Sequence, residues 1–503
     1  MLSLQHSIEE DLYPFPGNLG ALLDHAYELC PKRSGIGSPD HFFTFEQYHD
    51  RVCRIVHALQ KIGLSRGDRV LFISPDSLNF AFISLAVFRI GAVLIPLNPR
   101  IRHYEIAHIL SETRPNCVIC KCNNLPTLLN AYELIQENPP HCVVTTDEKA
   151  PSVMFLEDLD LSRATTRIET MDPGDTAMIV YTAAMEGYAL GAELTHSSLF
   201  YDAASFAADA FLKEGSGTEV VASLLPLFHC YGFTNGFLVP LAGNVNCLLL
   251  GTSLRGNKIV NIMEAHQATQ IISVPAIFFS ILKPLCEKPE LCSRFRNLTS
   301  GGVAIPLTLL EQYRQKLGLS ISEGYGLTET SPVITWNHLD RPPKFGTVGY
   351  PISCCEVKVV DDNGKDVPSG EEGEVLVRGL NLFSGYLDQP EKTQKAFIDG
   401  WFKTGDLGHL DDENYLTLTG LKKDMINIFG LKVYPKEVER ILSYHPAIRS
   451  VRIWGEWNEK YGDIVACQVS TKPGKTLSES ELRKWCKESI SPYKIPRKIR
   501  IDT

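Results

Sequence analysis

The stretch from Arg69 to Asn98 limits the fold most. RVLFIS is a short apolar run, NFAFISLAVFRIGA is apolar at helical length, and VLIPLN is a second short apolar run. Two strands with a helix between them and short connections cannot form a hairpin, so they pair in parallel, with the helix crossing one face of the sheet. Upstream, Thr44 and Gln47 have capping-box spacing. The run EQYHDRVCRIVHALQKIGL that follows puts Val52, Ile55, Val56 and Leu59 on one helical face. Further on, TAMIVYT reads as a strand, and LTHSSLF opens a helix with Thr195 as its cap. A chain of 503 residues is long enough to divide into two or three domains.

The net charge of −10 argues against a nucleic-acid surface, which needs clustered cations to meet phosphates. No apolar run is long enough to span a bilayer. The beginning, MLSLQHSIEEDLYPF, lacks a basic-then-apolar signal pattern, so a cytoplasmic location is expected. The 14 cysteines are scattered through apolar segments and read as reduced core thiols. Cys117, Cys120 and Cys122 leave zinc as an alternative, but no second Cys or His pair has matching spacing, and the segment reads as a strand.

Chemistry concentrates in EGYGLTETSP, Glu323 to Pro332. Gly324 and Gly326 flank Tyr325, so the backbone there can bend and come close to a ligand. Tyr325 offers a flat ring for stacking. Thr328, Glu329 and Thr330 supply two hydroxyls and a carboxylate, which suit phosphate oxygens and a hard cation such as Mg²⁺. On these residues alone, a simple turn remains an equal alternative.

The segment resembles the adenylate-binding signature of the acyl-adenylate-forming superfamily of AMP-dependent synthetases and ligases. The similarity runs from about Phe43 to Thr503. It implies an α/β fold: a large N-terminal domain, residues 1–421, of two parallel-sheet subdomains plus a small β-barrel (about 345–419), then a small mobile α+β domain, 422–503. It also implies roles. Tyr325 stacks on adenine between Gly324 and Gly326, Thr328 contacts the AMP phosphate, and Glu329 holds Mg²⁺. Asp406, in TGD, accepts from the ribose hydroxyls, although an isolated TGD also reads as a turn. His229 and Gly232 match an element bordering the acyl site; a satisfied core histidine is the other reading. Gly302, in the SGGVAIP run, lines the same pocket, and Lys423 matches the pivot between the domains. The apolar residues Tyr231, Phe233, Phe237 and Leu238 suit a fatty or other apolar acid.

The sequence departs from the family pattern in three places. Family members carry a Ser/Thr/Gly-rich loop with a Lys after the TAMIVYT strand, and here the run is AAMEGYALGAE. Ala183, Ala184, Met185 and Glu186 replace the small polar residues, and Leu190 replaces the Lys. Losing about three charged hydrogen bonds costs on the order of 4–9 kcal/mol, or about 10³- to 10⁶-fold. Leu421 stands where the hinge Arg is expected. The C-terminal catalytic lysine is expected shortly after Thr503; Lys494 belongs to the earlier YKxP element and is not its substitute.

The expected activity is therefore acyl-acid ligation: ATP and Mg²⁺ activate a small carboxylic acid as its AMP ester, which passes to CoA or to the phosphopantetheine of an acyl carrier protein. ATP handling is expected to be atypical. The alternative is a non-catalytic or half-reaction relative that binds an acyl group, an acyl adenylate or a partner protein.

Overall fold

The computed structural model describes residues 14–502, apart from 76, 183–188, 212–217, 252–253, 340–341, 422–425, 429–430 and 459–460. Two large sheets organise the chain. In the first, strands Val93–Leu97, Arg69–Ile73, Cys117–Cys120, Cys142–Thr145 and Met154–Phe155 run parallel in that order. Thr176–Thr182 joins in parallel beside Val93–Leu97, Leu190–Thr195 follows antiparallel, and the short strand Gly385–Tyr386 pairs antiparallel beyond it. Arg69 pairs with Val93 and Ile73 with Leu97, and helix Ser77–Ile90 makes the crossover between these strands.

The second sheet has nine strands among the described residues. Six are parallel: Ser34–Gly37, Asn246–Leu249, Val220–Ser223, Gln270–Ser273, Asn297–Ser300 and Ser322–Gly326. Val333–Trp336 then returns antiparallel to Ser322–Gly326.

Local chemistry accounts for the helix starts. Thr44 Oγ1 accepts from Gln47 N–H and the Gln47 side chain accepts from Thr44 N–H, forming the capping box of helix Phe45–Lys61. Val52, Ile55, Val56 and Leu59 are fully buried on its inner face. Thr195 Oγ1 accepts from Ser198 N–H at 3.0 Å and caps helix His196–Phe211. Cys117 and Cys120 are buried within their strand.

Where the sequence reads as a small barrel, the chain forms a five-stranded antiparallel sheet spanning Cys355 to Leu421. A smaller domain follows. Strands Ile448–Asn458, Gly462–Thr471 and Lys498–Asp502 form its sheet, with helices Pro435–Ser443 and Glu479–Ser489 beside them. Its core, including Val438, Ile441, Val465 and Leu482, is separate from the cores of the large part. Among the described residues, no helix is long and apolar enough to cross a membrane.

Candidate functional site

Strand Ser322–Gly326 is the last parallel strand of its sheet, and the chain turns back at once through a short helical turn, Thr328–Thr330. The return strand presses on the glycines. A Cβ on Gly326 would stand 1.8 Å from the Pro332 carbonyl oxygen, and one on Gly324 would be 3.2 Å from the Thr335 oxygen. Thr330 Oγ1 donates to the Pro332 oxygen at 2.6 Å, which ties the hairpin shut. EGYGLTETSP is thus a strand, a short helical turn and a return strand, with bare backbone where side chains would collide.

The hairpin opens onto a cavity of about 200 Å³. His229, Gly302, Gly324, Tyr325, Gly326 and Thr328 all border it. Tyr325 is half-buried, and its hydroxyl donates to Asp406 Oδ2. Burial, then the Asp406 charge, pushes this phenol well above its usual pKa. Asp406 lies inside strand Trp401–Leu410, opposite Leu421 of the next strand, so TGD is not a turn here. Its contact with Tyr325 links the small antiparallel sheet to the cavity wall.

Glu329 is buried but stands back from the cavity, where its Oε1 accepts from the Tyr386 hydroxyl at 2.9 Å. Ala189 borders the cavity from the other large sheet, and its carbonyl accepts from His108 Nε2 at 3.0 Å. Leu190 is held in the strand opposite Thr182. Residues Ala183, Ala184, Met185, Glu186 and Lys423 lie outside the described residues.

His229 precedes the short helix Cys230–Phe233 and accepts from Tyr231 N–H through Nδ1 at 3.2 Å. That contact leaves Nε2 to carry the proton of the neutral ring. Burial, and then the nearby Lys432 cation, pull its pKa down to about 4. A neutral imidazole at the wall can donate one hydrogen bond to an acyl or phosphate oxygen. Gly301 packs against Tyr231, where a Cβ would meet the ring at 3.0 Å, and Gly302 adopts φ +83°.

Some contacts at the site have no counterpart in the sequence motifs. Lys494 of the small domain is buried, and its Nζ donates to Glu105 Oε1 at 2.6 Å and to Glu437 Oε1 at 2.7 Å. Ser491 Oγ donates to Glu105 Oε2 at 2.7 Å. Burial opposes the Lys494 charge, but the two carboxylates overcome it and hold the ammonium well above the usual lysine value. Glu105, Glu437 and Lys494 all border the cavity, so the small domain forms part of its wall.

Sequence comparison agrees with this arrangement. The AMP-binding enzyme family matches residues 24–387, and the AMP-binding enzyme C-terminal domain matches residues 437–502. A 3-[(3aS,4S,7aS)-7a-methyl-1,5-dioxo-octahydro-1H-inden-4-yl]propanoyl:CoA ligase of Rhodococcus jostii is 30% identical over 511 residues, covering 96% of this chain and 95% of the relative. The indoleacetate–CoA ligase of Aromatoleum aromaticum is 27% identical over 486 residues, covering 96% of this chain and 93% of the relative. Among solved structures, a double mutant of o-succinylbenzoate CoA synthetase from Bacillus subtilis, bound to a product analogue, superposes with TM-score 0.83 at 26% identity, covering 96% of this chain and 94% of that one. With a family match over most of its length, the chain belongs to the AMP-binding enzyme family.

Proposed function

We propose that this protein is an AMP-forming acid–thiol ligase. It takes a small carboxylic acid with a largely apolar body, joins it to AMP, and passes the acyl group to CoA. The observation that carries this reading is the Tyr325–Asp406 contact at the cavity edge. It joins the ring proposed to stack on adenine to the carboxylate proposed to accept from ribose, beside backbone left bare at Gly324 and Gly326. These groups suit an adenylate. Tyr325 and Asp406 would hold the nucleoside, Thr328 the phosphate, and Glu329 would hold Mg²⁺, which supplies charge neutralisation at the phosphate. Neutral His229 and Gly302 would face the acyl carbonyl. The division near residue 421, with Lys423 as pivot, would let the small domain change place between steps.

A second reading, a half-reaction that starts from a preformed acyl adenylate, is favoured by the run after Tyr181. Leu190 provides no cation, and Glu186 puts a negative charge into the run that the resemblance assigns to the triphosphate. Calorimetric titration distinguishes the two. AMP and an acyl-AMP mimic bind under both, whereas under the second ATP binds far more weakly than AMP and acid-dependent exchange of pyrophosphate into ATP is weak. Leu190→Lys with Glu186→Thr then raises ATP affinity by about tenfold or more, on the strength of charged hydrogen bonds. Absence of AMP binding defeats both readings.

A further inference from the structure

The cavity wall carries polar groups that the ligation chemistry does not use. There the side chain of Asn235 is completely buried, and neither its amide oxygen nor its amide nitrogen has a hydrogen-bond partner among the described residues. Asn235 borders the cavity. So does Trp336, also fully buried, and its indole N–H is likewise unpartnered among the described residues. Buried amides are almost always hydrogen-bonded, because desolvation without a partner is costly. Two orphaned polar groups on one cavity wall call for a ligand that supplies the partners.

The local backbone holds Asn235 at this wall. Residues Thr234–Leu238 form a π-helical turn, a feature that often marks functional positions. Glycines let the segment lie flush on its neighbours: a Cβ on Gly232 would stand 2.1 Å from the Pro226 oxygen, and one on Gly236 would stand 2.3 Å from Ser223 Oγ. The Thr234 hydroxyl fastens the same turn to the Ser331 carbonyl at 2.8 Å. Asn235 therefore cannot swing away to find another partner without moving the whole turn. Trp336 is fixed as well, with its ring 4.3 Å from that of Phe206.

The neighbouring wall residues Phe206, Phe228, Tyr231 and Val333 are uncharged. The Lys432 cation is felt at His229, the end where the acyl carbonyl would react. A charged group beside these residues would find no counter-ion among them, whereas a neutral donor–acceptor group would find both an amide and an indole N–H.

Resting on the ligase reading, we infer that Asn235 and Trp336 form a polar recognition site on the wall of the acyl cavity. The preferred acid is compact and carries an uncharged hydrogen-bonding group, such as a hydroxyl, ketone or amide, remote from its carboxylate. A plain alkyl acid of the same length leaves both orphans unpaired and is discriminated against. Asn235 and Trp336 act on specificity and take no part in bond making.

The test uses non-reactive acyl sulfamoyl adenosines as probes, so it does not depend on turnover or on ATP. Affinities are measured by calorimetry for the 3-phenylpropanoyl compound and its ring-hydroxylated isomers, and for the hexanoyl and 6-hydroxyhexanoyl pair, with AMP as reference. At least one hydroxylated probe is expected to bind about tenfold or more tighter than its parent, because a site built for a hydroxyl rejects the analogue lacking it. The advantage should largely vanish in Asn235→Leu and shrink in Trp336→Phe, while AMP affinity stays within about twofold in Asn235→Leu, which lies outside the hairpin proposed to hold the nucleotide. If Asn235→Leu does not fold, the wild-type comparison and Trp336→Phe decide. Hydroxylated probes binding no tighter than their parents overturns the inference, as does an advantage that survives both substitutions. Failure of the wild-type protein to bind AMP overturns the ligase reading itself, a distinct outcome.

Discussion

His196 and Glu323 carry opposite pH signatures. His196 is completely buried, accepts from Leu19 N–H through Nδ1 at 3.1 Å, and is drawn down by burial to about 4. Its folded pKa lies below the unfolded value. The stability it contributes is therefore full above about pH 6.5 and is lost as pH falls towards 4, up to about 3 kcal/mol. Glu323 is pushed up by burial to about 7 while its Oε1 accepts from Ile305 N–H at 2.9 Å. Its contribution is full below about pH 4.5 and is lost as pH rises to 7, again by about 3 kcal/mol at most. Glu323→Gln should accordingly raise the melting temperature at pH 8 and leave it nearly unchanged at pH 4.5. His196→Gln should flatten the fall in melting temperature between pH 6.5 and 4. Equal effects at both pH values would refute either assignment. Tyr325 and His229 were legible in the sequence because each sits in a run with recognisable spacing. Asn235 was not: one amide inside an apolar segment carries no pattern, and its significance lies in partners that are missing, which only coordinates reveal.

Among elements, the hairpin from Ser322 to Trp336 carries the site. Gly326 is required there by the Pro332 carbonyl pressed against it, not by a positive φ. Gly326→Ala forces the return strand outward, and overpacking of this kind costs about 1–3 kcal/mol. The expected outcome is a lower melting temperature together with weaker binding of an acyl-AMP mimic; unchanged values for both would show that the strand yields freely. The Arg69–Asn98 crossover and the Thr44 capping box followed directly from apolar length and cap spacing, because both are local. The TGD segment was ambiguous for a related reason. Thr-Gly-Asp favours turns in isolation; here it forms a bulge inside strand Trp401–Leu410, with Gly405 at φ +75°, Lys403 and Leu407 paired to Gly373–Gly379 and Asp406 paired to Leu421. Pairing across distant strands outweighs local preference. The π-helical turn at Thr234–Leu238 has no sequence signature comparable to a cap.

In the whole molecule, the small domain is fastened to the large one by a buried charge cluster. Lys494 and Glu105 are 389 residues apart, so nothing in a linear reading links them. The YKxP element was visible, but its partner was not. Beside the cluster, Tyr104 stacks on Tyr444 with ring centroids 5.3 Å apart and approaches Trp485 at 6.3 Å. Lys494→Met leaves two carboxylates buried without their cation, and breaking a buried pair typically costs about 3–5 kcal/mol. The variant should populate detached arrangements, seen as a larger radius of gyration by small-angle X-ray scattering and as faster proteolysis between residues 421 and 435. Adding Glu105→Gln should recover part of the loss. An unchanged scattering profile for Lys494→Met would show that the aromatic contacts alone suffice.

The helix His103–Thr113 therefore serves as the socket for a module encoded hundreds of residues downstream. Anyone grafting the small domain of this protein onto a relative would need to transplant that helix with it. Without Glu105 and Tyr104, the newcomer arrives with an ammonium and an indole that have nowhere to dock.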